Sequence, residues 1–177
     1  KNTNQKNGER VFVFGNYSFY LDYFTNIWQI RGGLYQAKTH LWPEHIYYQM
    51  AKGESEDLAR AWLKIANIKY LVINTPASSE VYKDAENLER FENMNLVYEN
   101  KGDLVYQLSS NSFSPAKIVS LSEIEKLSRP KKADDKKPIL AYESMLDRSK
   151  PANFTVIDND HYKINGNVNE GEGILVQ

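Results

Sequence analysis

Cysteine is absent from the 177 residues. That excludes disulfides, thiolate catalysis and cysteine-ligated zinc, and it leaves the compartment open. Long apolar runs are absent too. No stretch of about 18 apolar residues occurs, so no segment has the length of a membrane-spanning helix, and none has the pattern of a signal peptide. Charge of one sign is also missing: 22 basic and 23 acidic residues leave a net charge of −1. At a pI near 6.4 the chain lacks the electrostatic footprint of a nucleic-acid binder. Histidine is scarce, with His40, His45 and His161 making up the full set of 3. Gly15 stands alone after its strand, so the G-x-G-x-x-G spacing of a dinucleotide site is missing. Gly32-Gly33 is not followed by Lys-Ser/Thr, as a P-loop would require. No G-x-S-x-G elbow occurs. No cofactor is called for.

What is abundant is aromatic surface: 12 Tyr, 7 Phe and 3 Trp. With 41% hydrophobic and 25% charged residues, the composition is that of a globular chain able to bury a core without staples. The chain opens on a polar run beginning at Lys1. It closes on Ile174-Leu175-Val176, which reads as a strand just begun, so excision from a longer protein is expected.

The pattern along the chain predicts an α/β (α+β) fold. Residues 10–15 form a buried strand closed by Gly15. Residues 16–33 read as a loop with one helical turn. Pro43 opens a helix carrying Ile46, Tyr47 and Met50, with Gly53 at its end. Ser55 caps the next helix, with Leu58, Trp62 and Ile65 on one face. Residues 68–73 are a strand. A further helix is expected after Ser78, presenting Val81, Ala85, Leu88 and Phe91. A hairpin over 95–108 turns at residues 100–103, and a strand at 116–121 leads to a short helical turn. Residues 129–138, with seven charges, read as a solvated linker. Strands are expected at 139–145, 153–157, 162–165 and from 174 onward. The division is therefore an α/β domain over 8–127 with a small mixed sheet and two or three helices, a charged linker over 128–138, and a β-rich part over 139–177. That last part resembles the opening of a β-sandwich.

Candidate chemistry concentrates in residues 17–48. Tyr20, Trp28, Arg31, Tyr35, His40 and Trp42 are the candidate binding residues. Aromatic faces stack on sugar rings or sit at apolar interfaces, and interleaved charges orient the ligand. His40, Glu44 and His45 are the candidate ligands of a metal-dependent enzyme, although His40 and His45 are five apart rather than at helical i, i+4 spacing. Two N-x-Ser/Thr sequons place possible glycans at Asn16 and Asn153. A purely structural interaction module, with the aromatics in its own core, is the third alternative.

The order of elements carries a resemblance. The phrases "IANIKYLVINTP", "LVYENKGDLVYQL" and "AKIVSL" precede the charged stretch, and "ANFTVIDNDHYKINGNVNEGEGILVQ" follows it. Together they resemble the C-terminal extracytoplasmic region of large multi-span membrane proteins. These include the bacterial and archaeal glycosyltransferase-like family and the 6-pyruvoyl-tetrahydropterin-synthase-related membrane proteins. Pterin-forming chemistry needs a His-x-His zinc site and a catalytic cysteine, and this chain has neither. In the glycosyltransferase-like relatives the catalytic acids lie between N-terminal membrane spans, so no catalytic residue carries over. The resemblance implies an accessory domain on the extracytoplasmic face of the cell membrane, whose parent acts on lipid-linked sugars. Its partners would be the transmembrane part of the parent chain and a glycan or lipid-linked sugar.

Overall fold

A computed structural model describes residues 9–25, 27–30, 40–109, 113–158 and 161–177. Its centre is a five-stranded sheet. Strand β1 (Arg10–Val13) pairs in parallel with β2 (Trp28–Gln29) and β3 (Ile68–Asn74). The antiparallel strands β5 (Asp103–Gln107) and β4 (Asn95–Asn100) complete the order β2-β1-β3-β5-β4. This is the expected mixed sheet of an α+β fold. The β4–β5 turn is tight because Lys101 and Gly102 both take positive φ, 47° and 85°, as a two-residue hairpin turn requires.

Side chains alternate across the sheet. Phe12, Phe14, Leu71, Ile73 and Tyr106 enter the main core, while Val11, Val13, Tyr70, Val72 and Val105 share the opposite face. On the core side lie α2 (Trp42–Lys52) and α3 (Glu56–Ile65). The Ser55 hydroxyl accepts the Leu58 N–H at 3.4 Å, the expected N-cap. Six of the ten residues of α3 are buried, among them Ala59 and Ala61. A helix apolar around most of its circumference must be covered on several sides. Here β3 covers one side and α5 (Lys136–Arg148) another.

Helix α5 overturns the strand expected at 139–145. Ile139, Tyr142, Met145 and Leu146 are its buried residues, spaced at the helical period rather than in alternation. Pro138 does not interrupt it. The proline stands in the first turn, where its missing N–H would have had no intrahelical partner. Nor is the preceding charged stretch wholly solvated, since Pro130 and Ala133 are buried. The Ala133 carbonyl accepts both the Trp62 indole N–H and the Gln49 amide, each at 2.9 Å.

The helix expected after Ser78 is also absent. Residues 78–87 are irregular, with a 3-10 turn at Leu88–Phe91. The cause is local competition for the backbone. The Ser78 hydroxyl accepts the Glu80 N–H at 3.0 Å, and the Glu80 carboxylate accepts the Tyr82 N–H at 3.1 Å. The Lys83 ammonium donates to the Ser78 carbonyl at 2.8 Å and also to that of Glu80. Val81, expected on a buried face, is exposed.

Beyond the main sheet, β6 (Ala116–Ser120) leads into α4 (Leu121–Lys126). It pairs antiparallel with β7 (Lys150–Pro151) and β10 (Glu172–Val176). Strands β8 (Asn153–Val156) and β9 (Tyr162–Asn165) form a separate two-stranded sheet. β6 faces two cores: Val119 enters the main one, and Ala116 and Ile118 enter a small one with Ala152 and Phe154. Gln177 ties the last residues back to the helices, donating to the Lys64 and Ile65 carbonyls at 3.0 and 2.8 Å.

Between α3 and α5, the Lys64 ammonium lies 2.9 Å from Glu143 and 2.8 Å from Asp147. Burial pulls its pKa down, but the two carboxylates outweigh that and hold it above its ordinary value. A raised lysine pKa stabilises the fold below the unfolded value near 10.5 and is lost as pH rises through the folded one. The stability gap between wild type and Lys64→Met in denaturant titrations should therefore be full at pH 8. It should narrow as pH rises past the folded pKa.

The packing of α5 has its own test. Ile139→Ala should cost about 2–5 kcal/mol in urea unfolding, whereas exposed Lys137→Ala should stay within about 0.5 kcal/mol. Equal, small effects would show that Ile139 is not packed in the core.

Candidate functional site

Residues 16–25, within the stretch read from sequence as a loop with one helical turn, contain the two-turn helix α1 (Tyr17–Phe24). Its start is built by Gly15 and Glu80. Gly15 takes φ +64°, and a Cβ there would lie 2.7 Å from the Glu80 side chain. Glu80 is only 4% exposed. One carboxylate oxygen accepts the Tyr17 backbone N–H at 3.3 Å, and the other accepts the Asn16 amide at 3.1 Å. A carboxylate at the positive end of a helix is electrostatically favoured and satisfies donors left without intrahelical partners. At the other end the Thr25 hydroxyl donates to the Leu21 carbonyl at 2.7 Å.

So anchored, α1 stands over the second face of the sheet and leaves four aromatic rings largely exposed. Phe19 is 53% exposed, Tyr20 60%, Tyr23 84% and Phe24 75%. At 100° per residue these four share one side of the helix. Tyr23 and Phe24 meet edge to face, 5.0 Å between centroids. Between α1 and the sheet lies a groove of ≈ 590 Å³. Val11, Val13, Val72 and Val105 bound it on one side, and Tyr20, Leu21 and Phe24 on the other.

A second groove, of ≈ 1030 Å³, opens between α2, α4 and α5. Trp42, Tyr142 and Leu146 line it, together with His40, His45, Arg129 and Lys131. The Trp42 ring packs edge to face on buried Trp62 at 5.7 Å and on Tyr142 at 5.6 Å. His40 Nδ1 accepts the Trp42 backbone N–H at 3.2 Å, which leaves Nε2 to carry the proton of the neutral ring.

The structure distributes the candidate residues rather than gathering them. Tyr20 is at the α1 groove, and His40 and Trp42 are at the α2 groove. Trp28 packs edge to face on Phe154 at 6.1 Å, against the small core. Arg31 and Tyr35 lie outside the described residues. Among the described residues no group of three potential ligand side chains is placed to hold a metal ion. The His45 ring lies 5.9 Å from that of Trp62. His161 sits apart from the other two histidines, before β9, with Nδ1 2.8 Å from the Asp158 carboxylate. Of the two sequons, Asn153 is exposed. The Asn16 side-chain nitrogen, the atom a glycan would occupy, is engaged by Glu80.

Sequence reasoning singled out Tyr20 on α1 but not Phe19, Tyr23 and Phe24 as a set. Their signal was the i, i+3, i+4 recurrence of aromatics over 19–24. No family model, no curated protein and no solved structure matches this chain.

Because Glu80 holds α1, Glu80→Ala should cost about 1.5–3 kcal/mol of stability. It should also speed amide hydrogen exchange selectively in residues 17–24 while leaving β3 protected. Unchanged protection of α1 would show that the helix is held by other contacts.

Proposed function

We propose that this chain is the extracytoplasmic accessory domain of a membrane protein, resting on the lipid surface through α1. The observation that carries the reading is the cluster of four exposed rings, Phe19, Tyr20, Tyr23 and Phe24, beside an apolar groove. Single exposed aromatics are ordinary, but four on one side of an eight-residue helix form a contiguous patch. Tyr20 and Tyr23 combine an apolar ring with a hydroxyl tip, which suits the boundary between acyl chains and headgroups. The helix has no basic residue in its sequence, so attraction to anionic lipid is not part of the contact. The occupant is then a zwitterionic surface, bound by burial of apolar area.

The order of sequence elements supports the same assignment, because it resembles the extracytoplasmic region of polytopic, glycosyltransferase-like membrane proteins. On this reading the parent's membrane part acts on a lipid-linked sugar. The domain keeps the membrane side of that machine oriented, and α1 fixes its height above the bilayer.

Co-sedimentation with phosphatidylcholine vesicles tests it. Wild type should bind, and Tyr23→Ser with Phe24→Ser should lose at least about tenfold in partitioning. The melting temperature should be unchanged, since both rings are exposed. Failure of wild type to bind, or equal binding by the double variant, would refute the assignment.

A further inference from the structure

We propose that the groove between α2, α4 and α5 is a binding site for an organic anion, a carboxylate or phosphate carried on an apolar body. The site is independent of the α1 contact. Its volume of ≈ 1030 Å³ is at the upper end of small-molecule pockets. Its floor is apolar: Trp42, Tyr142, Leu146 and Leu175. An apolar floor alone selects no particular ligand, so the selectivity comes from the mouth.

Arg129 and Lys131 line the mouth together with His40 and His45, and Glu125 is the one carboxylate among the lining residues. The whole chain carries slightly more acid than base, so two cations, Arg129 and Lys131, against one carboxylate are a local departure. Among the described residues neither Arg129 nor Lys131 has a carboxylate within ion-pair distance. Asp135, the acid that would be expected to neutralise Lys131, is turned elsewhere. Its carboxylate accepts the backbone N–H groups of Lys131 and Lys132 at 2.6 and 2.9 Å.

The loop that carries the two cations is held in place. Pro130 between them is buried. Three residues on, the Ala133 carbonyl takes hydrogen bonds from Gln49 and from Trp62. The Asp135 carboxylate closes the turn from the other side. Arg129 and Lys131 therefore project from a pinned backbone over an apolar floor. That arrangement lowers the ordering cost of binding. A guanidinium beside an ammonium fits a carboxylate or phosphate, the first by paired hydrogen bonds and the second as a point charge. The apolar floor would then take the body of the ligand.

Three probes of equal chain length separate the contributions: decanoate, decyl phosphate and decanol, titrated below their aggregation limits. Binding is followed by isothermal calorimetry and by NMR shifts of the Trp42 indole and the Arg129 and Lys131 amides. The anions should bind with shifts at those groups, and decanol should bind at least about tenfold more weakly. A preference between decanoate and decyl phosphate would name the headgroup. Arg129→Ala with Lys131→Ala, both exposed positions, should cut anion affinity by at least about tenfold and leave decanol unchanged. Tyr23→Ser with Phe24→Ser should leave all three titrations unchanged, which separates this site from the α1 surface. Four results would overturn the proposal: no anion binding, decanol binding as tightly as the anions, anion binding unaffected in the Arg129/Lys131 variant, or anion binding lost in the α1 variant.

Discussion

Burial of Trp62 is the constraint on which the rest of the structure depends. It is 0% exposed, at the middle of a helix that is itself covered on several sides. An indole so placed must find a partner for its N–H, and it takes the Ala133 carbonyl. That bond requires the charged stretch before α5 to fold back over α2 and α3 instead of running free. Once it does so, α5 lies along α3, Tyr142 meets Trp42, and the larger groove opens beside them. The cations at its mouth are held by the same bond that satisfies the tryptophan.

The opposite face of the sheet is organised by a second buried polar group. Glu80 directs its carboxylate to the start of α1 and to its own local backbone. In doing so it prevents a helix from forming at residues 78–87 and supports one at 17–24. The two layers are thus distinct in character. On one side of the sheet α2, α3 and α5 bury most of their apolar residues and leave one groove between α2, α4 and α5. On the other, a short helix stands across a groove from the sheet with its rings left exposed. A surface of that kind is stabilising only when something covers it. The assignment of α1 to a lipid surface rests on this asymmetry.

Much of the fold was legible because local signals and tertiary demands agreed. β1, β3 and β6 are compact runs rich in β-branched and apolar residues, α2 and α3 carry apolar stripes at helical spacing, and Gly15, Pro43, Ser55 and Gly102 mark boundaries or turns. Where the readings failed, a side chain had claimed a backbone group, in one place far away in sequence and in the other within a few residues. Seven charges in residues 129–138 argue for solvent, and nothing local reveals that Ala133 is claimed by Trp62, 71 residues earlier. Ser78 and Glu80 resemble a helix start until their side chains are seen bonded to the backbone on the non-helical path. The candidate site was legible as aromatic density. Its separation into an exposed helix, a small core at Trp28 and a groove at Trp42 is a consequence of strand pairing, which residue spacing does not encode.

The absence of cysteine, which closed off several kinds of chemistry at the outset, also provides the most direct test. A spin label on Tyr23→Cys would report the surroundings of α1 without interference from any native thiol, and Lys137→Cys at the start of α5 would serve as the reference. With phosphatidylcholine vesicles present, the label at 23 should gain accessibility to oxygen and lose accessibility to a polar nickel reagent, while the label at 137 stays aqueous. Both labels remaining aqueous would contradict the account of α1 as the membrane contact.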